Sequence, residues 1–268
     1  MDNFLLTLLL GGLFISIIVA ILGSLIVFTR SASLTGAVSH ANFGAVGLAF
    51  YFQLNSEIIP FWIALFSGVI GGVLGVILLK FPDRKESLIQ SLWAVGMSVG
   101  VLFLYLGNVQ NGEVISYLFG NFLFLNQFQL KLLGGLALLL LLLSPFIKII
   151  LGISYDPDFL QLRKVRTGLL YTLFLIVVSI VIGLLVQIVG IILLLALFTL
   201  PPVIIEQIGH RPLPIIVGSG VLTFGVISGA ILLSLIYPIP LIPTIVLILA
   251  LLLLVTSFII PMIERKFR

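Results

Sequence analysis

"GLLYTLFLIVVSIVIGLLVQIVGIILLLALFTL", Gly168 to Leu200, runs 33 residues without one charged side chain. About 20 apolar residues are enough for a helix to cross the hydrocarbon core of a bilayer. This run is therefore too long for one span. Its thinnest point is "QIVG", Gln187 to Gly190, where an amide and a glycine interrupt the aliphatic sequence. The spacing predicts two spans, 168–187 and 190–208, with a kinked helix or a half-spanning segment as the alternative.

The rest of the chain has the same character. Of its 268 residues 61% are hydrophobic and 8% charged, against about 25% charged in soluble domains. The mean hydropathy is +1.39. Long apolar runs follow one another with short breaks, whereas barrel strands would show brief alternating segments. The expected fold is an all-α polytopic membrane protein, one transmembrane domain over 1–268 lying in the lipid bilayer. Spans read near 4–28, 37–54, 60–80, 88–107, 129–150, 168–187, 190–208, 213–236 and 241–262. Eight spans result if the run at 168–208 is a single kinked element. The first span is longer than a secretory h-region and lacks a basic flank and cleavage site, so it reads as a retained helix.

Charge sets the expected orientation. With the N-terminus outside and the C-terminus in the cytoplasm, 12 of the 13 basic residues fall on inner segments, leaving Lys131 outside. The net charge of +4 is thus a topological signal and not a nucleic-acid footprint. Cysteine is absent, which excludes disulfides and thiolate metal sites. The outer loops are short, with Glu57 and Glu113 their main charges. "NVQNGEVISYLFGN", Asn108 to Asn121, is the longest of them and is long enough for a short surface helix.

Chemistry has few candidates here. In "TRSASLTGAVSHANFGAVGLAF", Thr29 to Phe50, Gly36, His40 and Gly44 recur every fourth residue, and Gly47 extends that helix face. Glycines above and below one imidazole permit close packing or a narrow gap in which His40 is the only strong ligand. An ionisable side chain within a span is costly and marks a functional hypothesis. The plainer reading is a buried histidine bonded to a carbonyl. Glu206 and His210 stand four apart at the inner end of the seventh span, a spacing compatible with holding a cation or with ordinary surface chemistry. Pro201 and Pro202 kink that span. Glycine pairs Gly68/Gly72, Gly71/Gly75, Gly96/Gly100 and Gly225/Gly229 predict helix contacts. The most polar stretch is "LGISYDPDFLQLRKVRTG", Leu151 to Gly168, on the inner side. Asp156 and Pro157 predict a helix start, with Phe159 and Leu162 on one face and Arg163 and Arg166 on another. The sequence carries no phosphate-binding glycine loop ending in Lys-Ser or Lys-Thr, no His-Glu-x-x-His motif and no nucleophile elbow. The apolar spans also lack aspartate. An enzyme is therefore not expected, and ATP is not bound through such a loop.

With these residues in view, the chain resembles the integral-membrane permease of bacterial ABC importers for zinc, manganese or iron. "SLTGAVSHANFGAVGLA" is similar to that family's second-helix signature, Ser-His-Ala with a glycine-rich turn. "GISYDPDFLQLRK" resembles its cytoplasmic Asp-Pro-Glu-Phe-Ala segment, with Asp158 in place of the usual Glu. "VQIVGIILLLALFTLPPVIIEQI" and "SLIYPIPLIPTIVLILA" are similar to its Val-Gly-x-x-Leu run and its final hairpin. The resemblance implies a homodimer in the bacterial inner membrane, a separate cytoplasmic ATPase pair that carries ATP, and an extracytoplasmic metal-binding protein. It implies that His40 lines the translocation pathway and that Asp156, Pro157, Asp158, Phe159 and Arg163 belong to the ATPase-coupling loop, 151–168. Three positions depart from the family pattern. Gly36 replaces an aspartate four residues before the histidine, Pro238 replaces an acidic residue, and Leu160 with Lys164 or Val165 fills a region that is usually small. A one-histidine pathway implies transient coordination, or help from Ser39, Asn42, Glu206 or the second copy. Zinc is slightly favoured. A secondary transporter or channel without an ATPase, and a non-transporting scaffold, are the competing readings.

Overall fold

The computed structural model describes residues 2–55, 57–108, 117–209 and 211–266. Among these every regular element is helical: α1 (Asp2–Ile18), a π-turn (Val19–Gly23), α2 (Ser24–Phe28), α3 (Ala32–Tyr51), α4 (Ile59–Lys80), α5 (Lys85–Leu106), α6 (Gln127–Leu143), α7 (Ile147–Tyr155), α8 (Pro157–Leu162), α9 (Thr167–Glu206), α10 (Pro212–Ile236) and α11 (Leu241–Lys266), with single 3₁₀ turns at Pro82–Arg84, Phe122–Phe124 and Ser144–Phe146. The protein is an all-α polytopic membrane protein. Seven helical stretches among the described residues are long and apolar enough to cross a bilayer. The helix carrying His40, α3, is 20 residues long but is not among them, because Ser33, Thr35, Ser39, His40 and Asn42 make it too polar.

α9 runs over 40 residues, but its backbone leaves the helical region at Gly190, with φ 78° and ψ 162°, where the helix is kinked. The break falls at the last residue of the expected "QIVG" turn. Gln187 remains helical, its amide nitrogen donating to the Gly183 carbonyl at 3.3 Å. The run is thus two helical stretches, 167–189 and 191–206, which meet at a non-helical glycine. Pro201 and Pro202 lie inside the second without ending it before Glu206.

The chain forms two compact units, each assembled from separate segments. One comprises Met1–Arg30, Asn121–Pro145 and Ile192–Arg268. Within it α1 packs on α6 and α10, and α10 on α11. α6 starts with reciprocal capping: Asn126 Oδ1 accepts from the Gln129 backbone N–H at 2.8 Å, and Gln129 Oε1 from that of Asn126 at 3.1 Å. The expected contact at Gly225 and Gly229 is not made among the described residues, since no atom of another helix comes within 4 Å of where their Cβ atoms would stand.

The other unit, Ser31–Gly120 with Phe146–Ile191, holds α3, α4, α5, α7, α8 and the first stretch of α9. Its densest packing is α3 on α5. Gly96 and Gly100 lay the backbone of α5 directly against α3, and a Cβ at Gly47 would stand 2.6 Å from the Gly100 carbonyl oxygen. Without side chains between them two helices can approach this closely, the packing device open to a membrane protein that gains nothing by hiding apolar surface from lipid. Gly71 and Gly75 bring α4 against the Leu175 carbonyl and Thr172 in the same way. The outward faces of α4 and α5 remain apolar, with Leu65, Val69, Val73, Val95 and Val101 exposed, as suits acyl chains.

Candidate functional site

His40 sits midway along α3 and is half-buried. Its Nδ1 lies 2.7 Å from the Gly36 carbonyl oxygen, one turn earlier on the same helix. A carbonyl only accepts, so the proton resides on Nδ1 and the neutral ring carries its lone pair on Nε2. The ring stacks on Trp93 of α5, centroid to centroid 4.4 Å with the planes 35° apart. Trp93 also fills the space beside Gly36, where a Cβ would meet three carbons of the indole at 2.7 to 3.2 Å.

The neighbours named with His40 in the sequence point elsewhere, as helix geometry requires. At 100° per residue, Ser39 and Asn42 cannot share the face of His40. Ser39 is fully buried, its hydroxyl donating to the Thr35 carbonyl at 2.7 Å. The Ser39 carbonyl in turn accepts from the Tyr117 phenol at 3.0 Å. Burial pushes the Tyr117 phenol well above its ordinary pKa, so it stays a neutral donor. Asn42 is likewise fully buried: its Nδ2 donates to the Val38 carbonyl at 2.9 Å, and its Oδ1 accepts from the Ser67 hydroxyl at 2.6 Å. Ser67 has one proton and also lies 2.6 Å from the Ile63 carbonyl, so the proton is shared between two acceptors. Gly183 of α9 approaches this pair so closely that a Cβ there would overlap Ser67 Oγ. Asn42 and Ser67 thus tie α3 to α4 at a point where α9 closes in.

Glu206 ends α9 in the other unit and is solvent-exposed. His210 and Glu113 lie outside the described residues. Among the described residues no three His, Cys, Asp or Glu side chains converge as a metal cage.

The inner loop has its own structure. Asp156 Oδ1 accepts the Phe159 backbone N–H at 3.0 Å, and Pro157 opens the six-residue α8. This matches the predicted helix start. The predicted separation of faces does not occur: α8 ends at Leu162, Lys164 adopts φ 60°, and the Arg163 guanidinium lies 4.7 Å from the Phe159 ring centroid. Phe159 and Arg163 stand four residues apart and so meet on one side of the turn, the arginine as a cation–π partner. Tyr155, Phe159 and Leu162 are all exposed beside it, as is Asp158.

Trp93, Ser67 and Tyr117 were not singled out from the sequence. Trp93 had a signal, since it precedes Gly96 by three residues and so shares the glycine face of α5.

Residues 1–260 match the ABC 3 transport family. The chain belongs to that family. It is 31% identical over 208 residues to a probable metal transport system membrane protein of Chlamydia pneumoniae, covering 75% of this chain and 70% of that one. It is 24% identical over 245 residues to the high-affinity zinc uptake membrane protein ZnuB of Buchnera aphidicola subsp. Schizaphis graminum, covering 89% and 91%. The fold is shared with a chain of PsaBC from Streptococcus pneumoniae solved in complex with Fab, at TM-score 0.80 and 19% identity over 96% of this chain and 91% of that one. In this member of the ABC 3 transport family, His40 and its indole neighbour both lie on the α3–α5 seam.

Proposed function

We propose that this chain is the membrane permease of an ATP-driven importer of divalent transition-metal ions, with zinc slightly favoured over manganese or iron. The observation that carries the reading is the single half-buried imidazole of a polar helix, tied at Nδ1 to the Gly36 carbonyl so that Nε2 is the nitrogen left to bind an ion. Neutral imidazole nitrogen binds zinc, manganese and iron, and one such ligand captures a passing ion without trapping it. The relatives described as metal transport and zinc uptake proteins support the same cargo. The ion is substrate, and ATP belongs to a separate cytoplasmic subunit.

In this reading α8 and its flanks, with Asp156, Pro157, Asp158, Phe159 and Arg163, form the docking surface for that ATPase. The exposed Phe159 and Leu162 beside a guanidinium supply an apolar contact with a charged rim, a composition suited to a protein partner. A second copy of the chain completes the pathway, an extracytoplasmic metal-binding protein delivers the ion, and the assembly sits in the bacterial inner membrane. Glu206 supplies a carboxylate near the inner end of a helix.

The test is coexpression with the ATPase, followed by copurification and ATP-dependent uptake of zinc and of manganese. A secondary transporter would take up metal with no ATPase bound and none required. Asp156→Ala removes the cap of α8, a loss of about 1 kcal/mol from a very short helix. The expected outcome is several-fold less copurified ATPase and a parallel fall in uptake at unchanged membrane abundance. Full copurification with Asp156→Ala would assign the docking surface to another segment.

A further inference from the structure

The imidazole of His40 is held at one atom by its own helix and across one face by another. The Gly36 carbonyl fixes Nδ1, and the Trp93 indole covers the ring at 4.4 Å. Neither constraint alone orients Nε2. The hydrogen bond leaves the ring plane free to swing, while the stack leaves it free to turn in its plane. Together they set one direction for the lone pair.

This arrangement depends on Gly36. Three carbons of the six-membered indole ring occupy the space a side chain there would need, so any larger residue would push the indole off the imidazole. It depends equally on the seam. One turn beyond Trp93, a Cβ at Gly96 would lie 2.8 Å from the carbonyl oxygen of His40 itself, so the indole is delivered by a backbone already fixed against α3. Trp93 is 37% exposed, so part of the indole is not covered by protein.

We infer that Trp93 is a positioning residue for metal passage: it holds the His40 ring so that Nε2 receives the ion, and it sets an indole face beside the ion's path. The inference rests on the pathway reading of His40. A π-face attracts a cation and sheds water, favouring entry without adding a ligand that would slow exit.

The chain has two tryptophans, and the other, Trp62, donates to the Ala45 carbonyl at 2.9 Å within the packing of α3 and α4. A Trp62→Phe chain therefore reports Trp93 emission alone. Titrated in nanodiscs with Co²⁺, a paramagnetic quencher that binds imidazole more tightly than Mn²⁺, it should be quenched saturably. The response should vanish when His40→Ala is added. In cells carrying the ATPase, Trp93→Ala should raise KM for zinc or manganese uptake about three- to tenfold with the maximal rate unchanged. Trp93→Phe, which keeps an aromatic face, should restore most of that loss. An unchanged KM in Trp93→Ala overturns the inference. So does Trp93→Phe transporting no better than Trp93→Ala, or reaching the membrane with KM raised as far. Normal uptake by His40→Ala sinks the pathway reading itself, whatever the Trp93 variants do.

Discussion

A Gly96→Val chain should fail to accumulate as folded protein in the membrane, while a Gly225→Val chain should accumulate normally. Both glycines lie in spans, and each has a second glycine four residues later. Their surroundings differ completely. A Cβ at Gly96 would press into the backbone of Ala41 and the His40 carbonyl, whereas nothing stands within 4 Å of one at Gly225. Overpacking usually costs about 1 to 3 kcal/mol because side chains can shift. Here the obstruction is main chain, which moves only if α5 leaves α3, so the cost lies at or beyond the upper end. The seam also carries the contact of Trp93 with His40, so any Gly96→Val protein that survives should have lost Co²⁺-responsive Trp93 emission. Membrane abundance and thermal aggregation of the two variants, measured side by side, check this. Equal abundance would mean that α3 and α5 are not packed backbone to backbone.

Gly190→Ala should be nearly as damaging, for a different reason. At φ 78° and ψ 162° the residue occupies a region open essentially only to glycine, and a non-glycine residue there costs about 1 to 3 kcal/mol. An added methyl would also run into the backbone of Phe119 and Gly120. Gly120 has φ 74° and is blocked in turn by Val189 and Gly190, so two glycine backbones meet with no room for a Cβ on either. Gly120→Ala should therefore reproduce the Gly190→Ala defect. Gly209→Ala, with nothing but its chain neighbours within 4 Å of the added methyl among the described residues, should stay within about 0.5 kcal/mol of the parent chain. Limited proteolysis of purified chains reads the difference. Parent-like resistance in Gly190→Ala would mean that α9 can pass position 190 as ordinary helix.

Much of this fold is legible from hydropathy because lipid imposes one rule: every backbone group must be bonded within its own helix. The long run of α9 shows where that reading weakens. Aliphatic residues continue unchanged through position 190, so composition marks only a thin turn there, and the break comes from the backbone of one glycine lodged against another. Sequence spacing identified the His40 face and the Asp156 cap, since both depend on residues within four of each other. It was silent on Ser67 and Tyr117, whose partners lie 25 and 78 residues away. The Asn42 side chain is occupied by Ser67 and its own helix and the Ser39 hydroxyl by its own helix, which proximity to His40 in sequence could not reveal. Gly71 and Gly225 have the same four-residue signature, yet one meets α9 and the other meets open space. Small residues permit close packing without choosing a partner.

In the proposed function a divalent ion passes His40 Nε2 on its way through this chain. The most direct measurement compares zinc and manganese uptake by cells expressing the ATPase with either the parent chain or His40→Ala, with membrane abundance matched. Removal of the only imidazole on the face should lower uptake of one metal at least about tenfold, which would also name the cargo. Unchanged uptake of both metals at equal abundance would contradict the account and leave His40 as a packing residue held between Gly36 and Trp93.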